Sequence, residues 1–360
     1  MNGRDLSARN RLYGVPTRLR RFRWEVVEDR SLLRWFPPRW FVDPYALVDL
    51  CTPWEQAWVR RHLARAYTGS GAIVELGPWL GDITLSILRG LDGNPSGSES
   101  IVDSYDIFTF EDIEARVGGH PLASRFRDGE SFLPHYLERL GKDRARVNAH
   151  QGDVLESIWP PDRPIEFLFN DVAKTWVIWN HVKGQFYRAL QADAVVVEQD
   201  WVHACTPWIH LWHHRYRSHF EPLGHVPFSG SMPFRVRATL PDSAFEPDAF
   251  SDYTADEIAS AFDWATSLVT PKRQADVRGA HVHLYTLHGD LAQASRICVE
   301  ELARSSERSE LTDVALAELA RRLREERPAE TESIRPEAAP AGEDPGAEDG
   351  GHPLAVASGS

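Results

Sequence analysis

Two apolar patterns alternate along the chain. Short apolar runs closed by glycine or an acid read as buried strands, and longer stretches with apolar positions three and four apart read as helices. Thr52-Pro53-Trp54-Glu55 opens the first helix: Thr52 caps it, Pro53 suits the first helical position and Glu55 completes a capping box. Trp54, Trp58, His62 and Ala66 share one face, and Thr68-Gly69-Ser70-Gly71 stops the helix. Ala72-Ile73-Val74-Glu75-Leu76 is the first strand, Gly77-Pro78-Trp79-Leu80-Gly81 the turn after it, and Asp82 to Gly90 the next helix. Strands follow at Ser100 to Phe108, Val147 to His150, Ile165 to Phe169 and Ala194 to Val197. Helical stretches lie at Ser131 to Leu140, Trp176 to Leu190, and from Thr206-Pro207-Trp208 to about Phe220. Two last strands, Glu221–Pro227 and Met232–Leu240, flank the hairpin signal Ser229-Gly230-Ser231. Residues 251–327 read as helical, most clearly at Ala255 to Val269 and Leu291 to Ala303.

Strands alternating with helices predict an α/β fold. It is Rossmann-like, with a mostly parallel sheet, an antiparallel edge strand, helices on both faces, and helical additions at the N- and C-terminal ends. The expected divisions are a disordered basic arm at 1–20, a helical cap at 21–68, a sheet domain at 69–242, a C-terminal helical region at 243–327 and a disordered acidic tail at 328–360.

Composition refines this picture at the ends. The formal net charge is −13 over 360 residues. The tail 328–360 carries −6, with Arg335 its one base, whereas residues 1–24 carry +6 from seven arginines against Asp5. The acidic middle repels phosphate, which argues against a general nucleic-acid partner. No stretch approaches about 18 apolar residues, so no membrane-spanning helix is expected. Arginines near the N-terminus without an apolar segment after them argue against a signal peptide. Cys51, Cys205 and Cys298 are too few and too scattered for a disulfide framework or a zinc site, which fits a reducing cytoplasm.

In an open α/β sheet, ligands bind at the carboxyl ends of the strands. Each predicted strand ends at or near an acid: Glu75 before Gly77, Asp106, Asp153, Asp171 and Asp200. Five such acids would stand around one rim. In the turn after the first strand, Gly77 would let backbone approach a ligand and Gly81 would let the next helix pack closely. Trp79 occupies the middle position of a dinucleotide-type glycine motif and would crowd a pyrophosphate.

These segments resemble class I S-adenosylmethionine-dependent methyltransferases. Ile73-Val74-Glu75-Leu76-Gly77-x-x-x-Gly81-Asp82-Ile83-Thr84 is similar to the first motif of that superfamily. Tyr105-Asp106-Ile107-Phe108 is similar to its second strand, whose acid holds ribose hydroxyls, and Gln151-Gly152-Asp153 to the segment whose acid faces the adenine amine. Ile165 to Asp171 and Val195 to Asp200 resemble the fourth and fifth strands, over roughly residues 50–240 in all. Within the superfamily, the look is closest to macrocin-type sugar O-methyltransferases, which bind magnesium beyond those two strands. The resemblance implies S-adenosylmethionine held by Glu75, Gly77, Trp79, Gly81, Asp106 and Asp153. It also implies methyl transfer to a hydroxyl of a small molecule such as a sugar, and a magnesium site at Asp171 and Asp200. The motif departs where Ala173 and Gln199 stand in place of acids. Two carboxylates are few for a cation that takes about six oxygens, and Lys174 offers a fixed positive charge instead.

His203 follows the fifth strand by three residues, and an imidazole titrates near neutral pH, so it joins Asp171, Asp200 and Lys174 as a catalytic candidate. His210 and His214 are four apart on one helix without an acid or cysteine at ligand spacing, and periodicity alone accounts for them. Trp79, Trp176 and Trp201 flank the motifs. They suit either core packing or the face of a sulfonium cation. A nicotinamide-dependent oxidoreductase on a similar sheet, and a non-catalytic scaffold that keeps the fold, are the alternatives. The acceptor pocket is expected from residues 20–60, the loop 110–145 and the C-terminal helices. Deleting residues 328–360 should leave the melting temperature nearly unchanged, because that composition has no apolar core to lose; a fall of many degrees would show that the tail docks.

Overall fold

The computed structural model describes residues 51–110, 126–304 and 310–325. The basic arm, the acidic tail, the first part of the N-terminal cap and most of the loop 110–125 lie outside the described residues. Seven strands form one sheet: β1 (Ala72–Leu76), β2 (Val102–Asp106), β3 (Val147–Gln151), β4 (Ile165–Asn170), β5 (Leu190–Glu198), β6 (Phe220–Pro222) and β7 (Met232–Val236). Their order is β3-β2-β1-β4-β5-β7-β6. The first five strands are parallel, and β7 pairs antiparallel with both β5 and β6. The order reverses between β1 and β4, which is the switch point where an open α/β sheet leaves a crevice.

The helices are α1 (Pro53–Ala66), α2 (Asp82–Asp92), α3 (Leu133–Leu140), α4 (Trp176–Gln185), α5 (Pro207–Arg215), α6 (Ala255–Ser267), α7 (Pro271–Leu287), α8 (Leu291–Arg304) and α9 (Glu310–Glu325). Side chains alternate across the sheet. Ile73, Phe167, Phe169, Val195 and Val197 face the layer of α1, α2 and α3. Val74, Leu76, Leu168, Ala194 and Val196 face the layer built on α4 and α5. Phe262, Val277, Ala294 and Leu319 belong to this second cluster, so the C-terminal helices extend the core of the sheet. Among the described residues no helix is long and apolar enough to cross a membrane.

Several boundaries differ from the sequence expectation: β2 spans Val102–Asp106 rather than Ser100–Phe108, β5 begins at Leu190 rather than Ala194, and β7 ends at Val236 rather than Leu240. The helix expected to run from Trp176 to Leu190 stops at Gln185, where Tyr187–Ala189 form a tight turn and Leu190 already begins β5. The helix after Pro207 ends at Arg215, and Phe220 belongs to β6 instead. The strand expected at Glu221–Pro227 shrinks to Phe220–Pro222, because Leu223–Ser231 loop out before β7. α7 is a further case, which the apolar pattern did not delimit.

α1 is held at both ends. Its Thr52/Glu55 capping box forms as expected. At the other end, Asn94 Nδ2 donates to the carbonyls of Leu63 (2.8 Å) and Tyr67 (2.7 Å), two of the groups a helix leaves unpaired. α1 crosses α2 where Gly90 has no side chain: a Cβ there would stand 2.7 Å from Arg60 O and 2.9 Å from Leu63 Cβ. Gly90→Ala should therefore cost about 1–3 kcal/mol by overpacking. Gly93→Ala, whose nearest contact would be an ordinary 3.4 Å, should be nearly neutral. Equal denaturant midpoints for the two variants would show that the helix pair relaxes freely.

Candidate functional site

The strand ends are drawn together by backbone hydrogen bonds just past the strands. Gly152 N–H donates to Asp106 O (3.0 Å), Gly77 N–H to Tyr105 O (2.9 Å), Asp171 N–H to Leu76 O (3.0 Å) and Gln199 N–H to Asn170 O (3.1 Å). The residues singled out from the sequence thus lie side by side along one rim, across β3, β2, β1, β4 and β5.

The half of the rim at β1 and β2 is built around the glycine turn. Gly77 (φ 81°) and Gly81 (φ 92°) both have left-handed backbone. A Cβ on Gly77 would meet Asp171 O at 3.0 Å and Val172 Cγ1 at 3.1 Å. One on Gly81 would meet the Tyr136 ring at 2.9 Å. Trp79 also has positive φ, 47°, and its ring packs against Phe110 and Phe132. Asp106 pins the turn to β2: Oδ1 accepts from Phe108 N–H (2.7 Å) and Oδ2 from Trp79 N–H (3.2 Å). Burial pushes the Asp106 carboxyl up to about 6, against the pull of those two N–H groups. Each oxygen keeps a further lone pair for a ligand.

Glu75 lies buried beneath the turn. Its Oε2 accepts from Thr84 Oγ1 (2.7 Å) and Ser104 Oγ (2.9 Å). Its Oε1 is buried without a hydrogen-bond partner. Burial raises the carboxyl to about 7, with the two hydroxyls opposing. A buried orphan oxygen costs about 1–3 kcal/mol, so a cationic or N–H-bearing group arriving there would be favoured. Asp153 is exposed beyond β3, and its Oδ1 accepts from Leu155 N–H (2.9 Å).

The half at β4 and β5 is a charged cluster. Lys174 Nζ donates to Asp171 Oδ1 at 2.5 Å and also to Asp200 Oδ2. With its amide nitrogen turned to the carboxylates, Gln199 donates to Asp171 Oδ1 (2.9 Å) and Asp200 Oδ1 (2.8 Å). Burial, the Asp200 charge and the Asp106 charge raise the Asp171 carboxyl well above the usual range; Lys174 opposes them. Burial draws the Lys174 ammonium down, but the two carboxylates outweigh it and raise it overall. Among the described residues no group of three or more His, Cys, Asp or Glu is arranged to hold a metal ion. The Asp171/Asp200 pair expected to hold magnesium does not fit that role, because the ammonium already bridges it.

His203 stands beyond β5, and its Nδ1 accepts from Cys205 N–H (3.2 Å). That contact places the proton of the neutral ring on Nε2 and commits its lone pair. Burial and Lys174 lower its pKa, against Asp200. His203 is therefore a poorer proton acceptor than its sequence position suggests. His210 and His214 do not chelate: His210 Nε2 is tied to Trp201 O at 2.6 Å in the core. Trp201 is buried there, whereas the half-buried Trp176 donates its indole N–H to Asp248 (2.9 Å).

Two features were not legible as site features. Glu55, read only as a capping residue, is buried; its Oε1 accepts from Ser231 Oγ and its Oε2 from Thr52 N–H (3.0 Å). Below the cluster, buried Glu198 accepts from Asn170 Nδ2 (2.9 Å), from the Tyr187 hydroxyl and from His213 Nε2 (2.8 Å). Asn170 beside Asp171 was the one sequence hint of that network. A cavity of about 250 Å³ lies elsewhere, lined by His62, Tyr67, Glu166 and Arg235, and contains none of the rim residues.

Glu55 carries a pH prediction. Burial, with a smaller contribution from Asp171 and Asp200, raises it to about 7, while Ser231 and Thr52 oppose. Its folded pKa exceeds the ordinary value of 4.5, so its stabilising contribution is fully present below pH 4.5 and is lost as pH rises through about 7. The loss is on the order of 3 kcal/mol at about 1.4 kcal/mol per pH unit. In Glu55→Gln the fall in melting temperature from pH 5 to pH 8 should flatten; curves parallel to the wild type would refute it.

No protein-family model matches the chain, and no curated protein matches it. Among solved structures it is similar to the O-methyltransferase NovP, at 12% identity over 53% of this chain and 83% of that one, TM-score 0.40. It is similar to CalS11, a TDP-rhamnose 3'-O-methyltransferase of calicheamicin biosynthesis, at 14% identity over 60% and 92% of the two chains, TM-score 0.36. A third is the Podospora anserina methyltransferase PaMTH1 with SAH bound, at 14% identity over 66% and 98%, TM-score 0.33. Likenesses this distant leave the function to the geometry of the rim.

Proposed function

We propose that the chain is an S-adenosylmethionine-dependent methyltransferase acting on a hydroxyl of a small molecule, a sugar or another hydroxylated metabolite. The observation that carries this reading is the set of residues gathered at the switch point between β1 and β4. There Gly77 and Asp171 meet, the orphan oxygen of Glu75 lies on one side, and the Asp171–Lys174–Asp200 cluster lies on the other. The first half suits the donor. Glu75 Oε1 would take its amino group, the bare backbone of Gly77 would let it approach, Asp106 would take ribose hydroxyls and Asp153 the adenine amine. When bound, S-adenosylmethionine supplies a methyl group on a positively charged sulfur. Trp79 would crowd the pyrophosphate of a dinucleotide.

The second half suits the acceptor. Asp171 Oδ2 is the one carboxylate oxygen of the pair left out of the Lys174 and Gln199 hydrogen bonds, and the raised pKa makes it a fit proton acceptor. Asp171 would take the proton of the acceptor's hydroxyl as that oxygen bonds to the methyl carbon, the electron pair of the broken S–C bond being left on sulfur. Alignment of the two partners supplies the rest of the rate.

Calorimetry with S-adenosylhomocysteine and NAD in parallel tests the donor. S-adenosylhomocysteine should bind in the micromolar range, about −8 kcal/mol, and Gly77→Val should abolish that heat while the protein stays folded. Heat from NAD with none from S-adenosylhomocysteine would sink the reading in favour of an oxidoreductase. Once an acceptor is found, Asp171→Asn should lower the chemical step by about 10²–10⁴ with the donor affinity intact. The ascending limb of the wild-type rate profile should lie above the ordinary carboxylate range. Full activity in Asp171→Asn would remove Asp171 from the proton's path.

A further inference from the structure

Paired carboxylates at a strand rim are an ordinary place for a divalent cation, which gathers about six oxygens. Here three of the four oxygens of the pair are committed. Lys174 Nζ holds Asp171 Oδ1 and Asp200 Oδ2, and the Gln199 amide holds Asp171 Oδ1 and Asp200 Oδ1. Neither carboxylate lies in open solvent: their side chains are 16% and 12% exposed, against 51% for Lys174. The chain delivers the ammonium deliberately. Lys174 sits between the end of β4 and the α4 cap Thr175, and its own N–H bonds back to Val172 O at 2.6 Å, turning the residue toward β5. A metal ion entering the pair would have to expel a positive charge covalently tied to the fold.

We propose that Lys174 is the resident cation of the Asp171/Asp200 pair, standing where a divalent metal would stand, excluding metal ions and presenting its remaining N–H to the acceptor's reacting oxygen. An ammonium has three donors, and two go to the carboxylates. The third has no partner among the described residues. In the transfer step Lys174 neither gains nor loses a proton. The acceptor's proton goes to Asp171, the O–C bond forms, the S–C bond breaks with its electrons left on sulfur, and the ammonium steadies the charge that develops on oxygen. The acceptor contact rests on the methyltransferase reading; the exclusion of metal rests on the geometry alone.

The test is manganese binding to the chelator-stripped full-length protein, followed by electron paramagnetic resonance. Wild type and Lys174→Arg, which keep the charge, should bind manganese weakly. Lys174→Ala empties the bridge and should bind roughly tenfold or more tightly, and adding Asp171→Asn should remove the gain. Lys174→Met, which retains the stem's packing, serves as the second variant if Lys174→Ala melts low. The proposal is overturned if the wild type binds manganese as tightly as Lys174→Ala through Asp171, or if neither uncharged variant gains affinity while folded. S-adenosylhomocysteine heat is read on the same wild-type sample. Its absence would overturn the donor reading and leave the manganese comparison standing.

Discussion

The hydrogen bond from Asp171 N–H to Leu76 O ties the end of β4 to the end of β1, strands separated by most of the sheet domain's sequence. Parallel pairing obliges all five strand ends to point the same way. The bonds just past the strands then bring Asp106, Gly77, Asp171 and Gln199 into one row. The proposed chemistry depends on that row. The glycine turn closes on Asp171 because Gly77 carries no side chain to hold it off. The charged cluster forms because β4 and β5 deliver Asp171 and Asp200 within reach of one lysine.

Electrostatics divides the rim in two. Around β1 and β2 the carboxyl groups of Glu75 and Asp106 are raised by burial and, among the described residues, draw no opposing pull from a cation. Around β4 and β5 an ammonium is built in, so the carboxylates there are partly neutralised. On the proposed reading the first half receives a positively charged donor, whereas the second already holds a cation of its own. Beneath the second half, Glu198 binds Asn170, Tyr187 and His213 and joins β4, β5 and α5 with polar contacts in an otherwise apolar layer. Such contacts form only in one register of the two strands.

The sequence was most readable where one residue type has one physical use. The turn after β1 announced itself through glycines that adopt left-handed backbone, and α1 through its capping box. Strand ends were readable because buried β-branched and aromatic runs stop at polar residues. α7 had no such mark: Ala275, Val277, His281, His283, Leu284 and Thr286 are buried alike, so there is no polar face to give a period. The lysine bridge was only half visible. Lys174 lies three residues from Asp171 in sequence, but its second partner is 26 residues away. Glu55 was legible as a cap and illegible as a buried acid, because Ser231 lies 176 residues further on. His203 was legible as a residue near the rim, whereas the Cys205 N–H contact that occupies its Nδ1 was not.

β4 is buried at every residue and paired on both edges, with β1 on one side and β5 on the other. Strands so enclosed do not breathe locally; their amides exchange with solvent only when the whole fold opens. Asp171 is attached directly to that strand, and Lys174 follows three residues later. The candidate proton acceptor and its cation are therefore mounted just past a strand enclosed on every side. Movement that admits or releases an acceptor must be left to the segments around the rim.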